Sequence, residues 1–271
     1  MATLRSLVTF VFISFSALPL RAAPVDELID ALRVDDMLVI MRDEGLSYGS
    51  EMAADMFAGN SSPRWDMVLQ EIYDTNKMGA VVRREFERSI GDGDLSSLID
   101  YFTSSEGQAV VDAELTARRA MVRDAIETGA RDRFLALEGT GDARLGQIER
   151  FVEANDLVEA NVAGALNASF HFYRGLVEGG AFSMSESDIL NEVWGQEEDT
   201  RQDTREWLYG FLLLAYRKMA DPALETYIDL SASEQGRRLN IALFAGFNRM
   251  YDEISYALGL AAAREMQGQD L

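Results

Sequence analysis

The chain has 271 residues, 48 % hydrophobic and 26 % charged, which is a globular composition with ample material for a core. Aspartate and glutamate total 46 against 25 lysine and arginine, and the net charge of −21 excludes the basic face that nucleic acid or anionic lipid requires. With no cysteine and one histidine, disulfides, thiolate catalysis, iron–sulfur clusters, cysteine-ligated zinc and multi-histidine metal sites are excluded too.

The first residues read as an address. Arg5 precedes Leu7–Leu18, an uncharged run of 12 residues, and Pro19 is followed by Leu20-Arg21-Ala22-Ala23-Pro24. This three-part form predicts a secretory signal peptide over residues 1–22. Cleavage after Ala22 places Leu20 and Ala22 where signal peptidase takes small or aliphatic residues, whereas cleavage after Ala23 would place Arg21 there. As a helix the run covers about 18 Å, short of the roughly 30 Å of hydrocarbon that a permanent anchor must cross. No cysteine follows it, so no lipid attachment is expected. Residues 1–22 hold two arginines and no acids, so removing them takes the net charge to −23. The expected destination is a bacterial periplasm, with no stable membrane anchor after cleavage.

Beyond residue 23 the periodicity is helical. Leu28, Leu32, Val39 and Ile40 mark an opening helix, and Val68, Leu69, Ile72 and Tyr73 a short one. Met78, Val82, Phe86 and Ile90 mark an amphipathic helix that stops at Gly91-Asp92-Gly93. Ser105-Glu106-Gly107-Gln108 fits a capping box at the start of a long helix. Further stops fall at Gly139 to Gly141 and at Gly179-Gly180. Ser183-Met184-Ser185-Glu186 and Ser231-Ala232-Ser233-Glu234 fit capping boxes again, and Asp221-Pro222 reads as an N-cap followed by proline. Pro24 and Pro63 also suit helix starts. No stretch alternates as a strand would, so the fold class is all-α.

The pattern is written twice. At an offset of 120, Leu28, Leu32, Asp36, Met37 and Gly59 meet Ile148, Val152, Asp156, Leu157 and Gly179. At 121, Val68 to Tyr73 meets Ile189 to Trp194; at 126, Ile90, Leu98 and Tyr101 meet Tyr216, Leu224 and Tyr227. At 128, Ser105-Glu106 meets Ser233-Glu234, and at 129, Gly107, Ala113 and Met121 meet Gly236, Ala242 and Met250. The offset only rises, as short insertions between helices would make it. The expected organisation is a signal peptide over 1–22, a first helical-bundle repeat of about five helices over 23–140 and a second over 141–271.

The run Leu98-Ile99-Asp100-Tyr101-Phe102-Thr103-Ser104-Ser105-Glu106-Gly107-Gln108 resembles the signature of the exported bacterial domain of unknown function 2059: a helix ending in an aromatic pair, then a Ser-x-Glu-Gly-like step into a long helix. The resemblance covers about Val25 to Ala130. The second copy departs from it at Asp229-Leu230 and Gln235. Membership implies an all-helical exported domain without an established activity, and the motif transfers no catalytic residue.

Residue by residue, no catalytic constellation emerges. His171 lies inside a helix with no nucleophile elbow in the sequence, and reads as a packed or half-exposed histidine. Glu71 and Glu192 are equivalent in the two copies and invite a paired-carboxylate reading. Glu71, however, projects roughly 130° from the apolar stripe of its helix, toward solvent. Asp35-Asp36 and Glu197-Glu198-Asp199 lack calcium-loop spacing and suit helix starts. Arg83-Arg84 with Arg88, Arg118-Arg119 with Arg123, and Arg237-Arg238 read as ion-pair partners. Trp207 to Tyr216 has no charge and reads as buried core, with a ligand-pocket wall or a self-association face as alternatives. Phe244, Phe247, Met250, Tyr251 and Tyr256 form a stripe expected to pack with it.

These observations predict a non-catalytic binding or interaction module, without cofactor or metal, whose partner is an envelope protein or a second copy. The alternatives are an apolar-ligand binder with a cavity between helices and a carboxylate-based hydrolase or lyase.

Overall fold

The computed structural model describes residues 24–57 and 64–268. The signal segment with Ala22 and Ala23, and Gly59 and Pro63, lie outside them. Every element among the described residues is an α-helix, and none is a strand. In chain order they are α1 (Pro24–Ala31), α2 (Val34–Met56), α3 (Trp65–Ile72), α4 (Thr75–Ile90), α5 (Ser96–Thr103), α6 (Ser105–Met121), α7 (Asp124–Leu137), α8 (Ala143–Ala154), α9 (Leu157–Glu178), α10 (Glu186–Gly195), α11 (Glu197–Ala215), α12 (Asp221–Ala232) and α13 (Glu234–Met266). None is long and apolar enough to cross a membrane.

The opening helix expected from Leu28 to Ile40 is two helices. The chain breaks at Arg33, whose φ of 53° is a left-handed conformation unusual outside glycine. The Arg33 guanidinium meets Asp36 and Asp112, ion pairs that hold the kink. Beyond the break Val39 is 50 % exposed, because the change of direction turns it out of the stripe. An equivalent break separates α8 from α9, at Asp156 with φ 50°. The amphipathic stripe of α4 is buried as the spacing predicted: Met78, Val82, Phe86 and Ile90 are all at most 2 % exposed.

The caps lie one or two residues from their expected positions: those of α6 and α12 shift by one, and those expected at Ser183 and Ser231 fall at Ser185 and Ser233. Ser104, not Ser105, caps α6: its Oγ accepts the Gly107 N–H at 3.1 Å and donates to the Tyr101 carbonyl at 2.6 Å. Ser233 caps α13 in the same way, accepting from Gly236 at 3.0 Å and donating to the Leu230 carbonyl at 2.6 Å. Glycine is required at both steps, because a Cβ at Gly107 or Gly236 would fall 2.1 Å from the Tyr101 or Leu230 carbonyl oxygen. Ser185 closes a full capping box with Asp188. Ala220, not Asp221, is the N-cap residue of α12, with Pro222 in the first turn.

The tertiary arrangement is interlaced. The 33-residue helix α13 packs along α4 and then along α9. Small residues allow the close approach: Gly246 lies against the backbone of Val82, and Gly175 and Gly179 lie against Tyr256, Leu260 and Ala263. Conversely α6 and α7 pack on α11, with Gly210 against Ala130. One core cluster joins α1–α6 to Leu176 of α9 and to α13. A second joins Val110, Ala117 and Phe134 to α8, α11 and α12. Both cores therefore draw on residues from either side of Gly139–Gly141.

Candidate functional site

Helices α2, α9, α11 and α13 meet around a cleft with two adjoining lobes, of about 530 and 500 Å³. Met41, Ala165, Ala168 and Tyr251 border both lobes. The space exists in part because α9 presents the small residues Gly164, Ala165 and Ala168 along it; longer side chains at these positions would fill it. One lobe is walled by Trp207, Phe244 and Phe247, the other by Tyr48, Tyr73 and Phe172. Trp207 stacks on Phe211 with ring centroids 5.3 Å apart, which keeps the indole in place.

A charged pair braces this wall. Arg118 of α6 donates to both carboxylate oxygens of Glu44 on α2, at 2.6 and 2.7 Å, and its guanidinium lies 4.7 Å from the Trp207 ring centroid. Burial disfavours the Arg118 charge, but the Glu44 carboxylate outweighs this and holds the guanidinium above its ordinary pKa. Each member neutralises the other, so the cleft presents mainly apolar area and ring faces, with Asn161 and Asn248 among its polar groups.

Behind Leu243 and Phe247, which border both spaces, lies an inner chamber of about 150 Å³. Its walls include Leu32, Met37, Phe102, Phe151 and Tyr227, and its polar lining includes Glu114, Asn155 and Asn240. The Glu114 carboxyl accepts hydrogen bonds from the hydroxyls of Tyr216 and Tyr227. Tyr101 stacks parallel on Tyr227, 6.1 Å between centroids, and Phe151 lies 5.2 Å from the same ring. Burial pushes the Glu114 carboxyl up to about 7, against the opposing pull of the two tyrosine hydroxyls. Burial and the neighbouring carboxyl hold Tyr216 and Tyr227 well above the usual tyrosine range.

The residues singled out in the sequence are dispersed. His171 faces Asp252 of α13 at 3.8 Å on the outer side of α9, and burial raises the Asp252 carboxyl. Glu71 is exposed on α3 and pairs with Lys77 at 3.0 Å; Glu192 is exposed on α10 beside Gln196. Asp35 joins Asp26 and Asp30 around Arg83, and Glu197 pairs with Arg201. Arg84 and Arg88 share Glu85. Among the described residues no group of three or more His, Asp or Glu is arranged to hold a metal. Trp207 to Tyr216 divides by face: Leu212 and Tyr216 are 2 % and 0 % exposed in the core, while Trp207 walls the cleft with Phe244, Phe247 and Tyr251.

Glu114 escaped the sequence reading, and Arg118 was read there as an ion-pair partner without its mate Glu44. Their signal was an acid and a base set among Val110, Val111, Leu115 and Met121, a stripe otherwise apolar. No protein-family model matches the chain, and neither the curated proteins nor the solved structures hold a match.

Proposed function

We propose that the chain is an exported, non-catalytic binding protein of the bacterial periplasm whose cleft takes a small apolar or amphipathic ligand. The observation that carries the reading is the aromatic cleft itself. Lobes of about 500 Å³ each, walled by Trp207, Phe244, Phe247 and Phe172, match the size and lining of small-molecule sites. The charges at its wall are already paired, which favours an uncharged ligand body. Export rests on the three-part segment of residues 1–22.

A tandem duplication accounts for the architecture. It is supported by the left-handed breaks at Arg33 and Asp156 and by the identical serine–glycine steps at Ser104–Gly107 and Ser233–Gly236. Those steps set the offset at 129 there and pair Ser104, rather than Ser105, with Ser233. Kinship with domain of unknown function 2059 rests on the first of these steps. A second reading, docking on an envelope protein or a second copy, draws on Leu190 and Trp194. These lie one turn apart on α10 and are 41 % and 65 % exposed.

The test uses protein isolated from the periplasmic fraction, whose first residue is expected to be Ala23. Titration with the fluorophore N-phenylnaphthylamine should saturate at one site and quench Trp207 emission. Ala168→Phe, which fills the junction of the lobes, should weaken binding at least about tenfold while leaving the helical circular dichroism unchanged. Undiminished binding to that variant would remove the cleft as the site.

A further inference from the structure

The inner chamber poses a separate chemical question. A buried carboxylate ordinarily has a cationic partner, because an isolated charge in an apolar surround is costly. Glu114 has none: among the described residues its polar partners are the hydroxyls of Tyr216 and Tyr227, and no arginine or lysine pairs with it. Arg118, one turn further along α6, is committed to Glu44 on the cleft side. Around the carboxyl stand the rings of Phe102, Phe151 and Tyr227, whose faces attract a cation. The half-open space they line, about 150 Å³, has room for a single ring.

We propose that the inner chamber is a second binding site, distinct from the cleft, for a small organic amine carrying one ring or a short apolar chain, with its ammonium on Glu114 and its body among Phe102, Phe151 and Leu243. The carboxylate supplies the charge that the ammonium lacks in an apolar pocket, and the ammonium supplies the partner that Glu114 lacks. The Asn240 side-chain N–H at the chamber wall is engaged with the Asn155 carbonyl at 3.0 Å, and Glu114 is the one carboxyl in the lining. The titratable groups packed around the carboxyl are Tyr101, Tyr216 and Tyr227, with Glu106 acting on Tyr101 from outside. All three tyrosines stay neutral at physiological pH, since burial holds Tyr101 at about 12 and lifts the other two well above the usual tyrosine range.

The test is calorimetric titration of the whole protein with benzylamine and with benzyl alcohol, its neutral counterpart of the same shape. At pH 8, with Glu114 ionised, benzylamine should bind at least about tenfold more tightly than benzyl alcohol. At pH 5 benzylamine keeps its charge but Glu114 takes up a proton, and the preference should fall toward parity. Glu114→Gln, which keeps the volume and an acceptor for the tyrosines, should erase the preference at both pH values while the far-ultraviolet spectrum stays that of the wild type. Equal affinity for the two probes in the wild type at pH 8 would overturn the assignment. So would a preference that survives in the glutamine variant.

Discussion

A carboxyl enclosed by tyrosines makes the folded state respond to pH in the opposite sense to a salt-bridged acid. Glu114 titrates near 4.5 when solvated and at about 7 in the fold. Its stabilising contribution is fully present below pH 4.5 and is lost as the pH rises to about 7, because the unfolded chain ionises first. Glu114→Gln carries no such dependence. It should therefore raise stability at pH 8 by on the order of 2 kcal/mol relative to wild type and have little effect at pH 4.5, measured by urea denaturation at both pH values. A variant less stable than wild type at pH 8 would show that the tyrosine hydroxyls require the carboxylate. The residue was visible in the sequence as an acid inside an apolar stripe. Its neighbours were not, because Tyr216 and Tyr227 lie more than a hundred positions away and only the tertiary packing, with α6 on α11, brings them in.

At the scale of elements, local chemistry decided the helix ends and long-range packing decided the breaks. Gly91, Gly139 and Gly180 stop helices with positive φ, where glycine alone is unstrained, and all three stops were legible. The steps at Gly107 and Gly236 add a steric demand, since each Cβ would meet a carbonyl oxygen at 2.1 Å. Gly107→Ala and Gly236→Ala should each destabilise by about 2–4 kcal/mol and by similar amounts, because the same backbone geometry is disturbed in both. Thermal denaturation of the two variants side by side checks this. The break between α6 and α7 has no comparable local cause. Val122 and Arg123 contain neither glycine nor proline, and α7 has no side-chain cap. By contrast α13 runs unbroken through Tyr251 and Asp252. The difference lies in the partners: α7 turns to stay on α11, where Gly210 admits it, whereas α13 continues along α9, where Gly175 and Gly179 admit it.

At the scale of the whole molecule, the reciprocal packing of α13 on α4 and of α6–α7 on α11 puts residues from both sides of Gly139–Gly141 into each core, which predicts one cooperative unfolding unit. Trp65 is buried in the first core and Trp207 stands at the wall beside the second. Variants that keep one of these tryptophans and replace the other two by phenylalanine should each show a single urea transition, with midpoints that differ by no more than the substitutions themselves cost. Two separated transitions in one protein would mean that the halves unfold independently. The sequence by itself determined the all-helical class, the helix starts to within one or two residues, the glycine stops and the buried stripe of α4, because each depends on residues within a turn or two of one another. It left the cleft, the inner chamber and the α6–α7 break undetermined. Those follow from which helix faces meet across the chain, and apolar periodicity marks a face for burial without naming its partner.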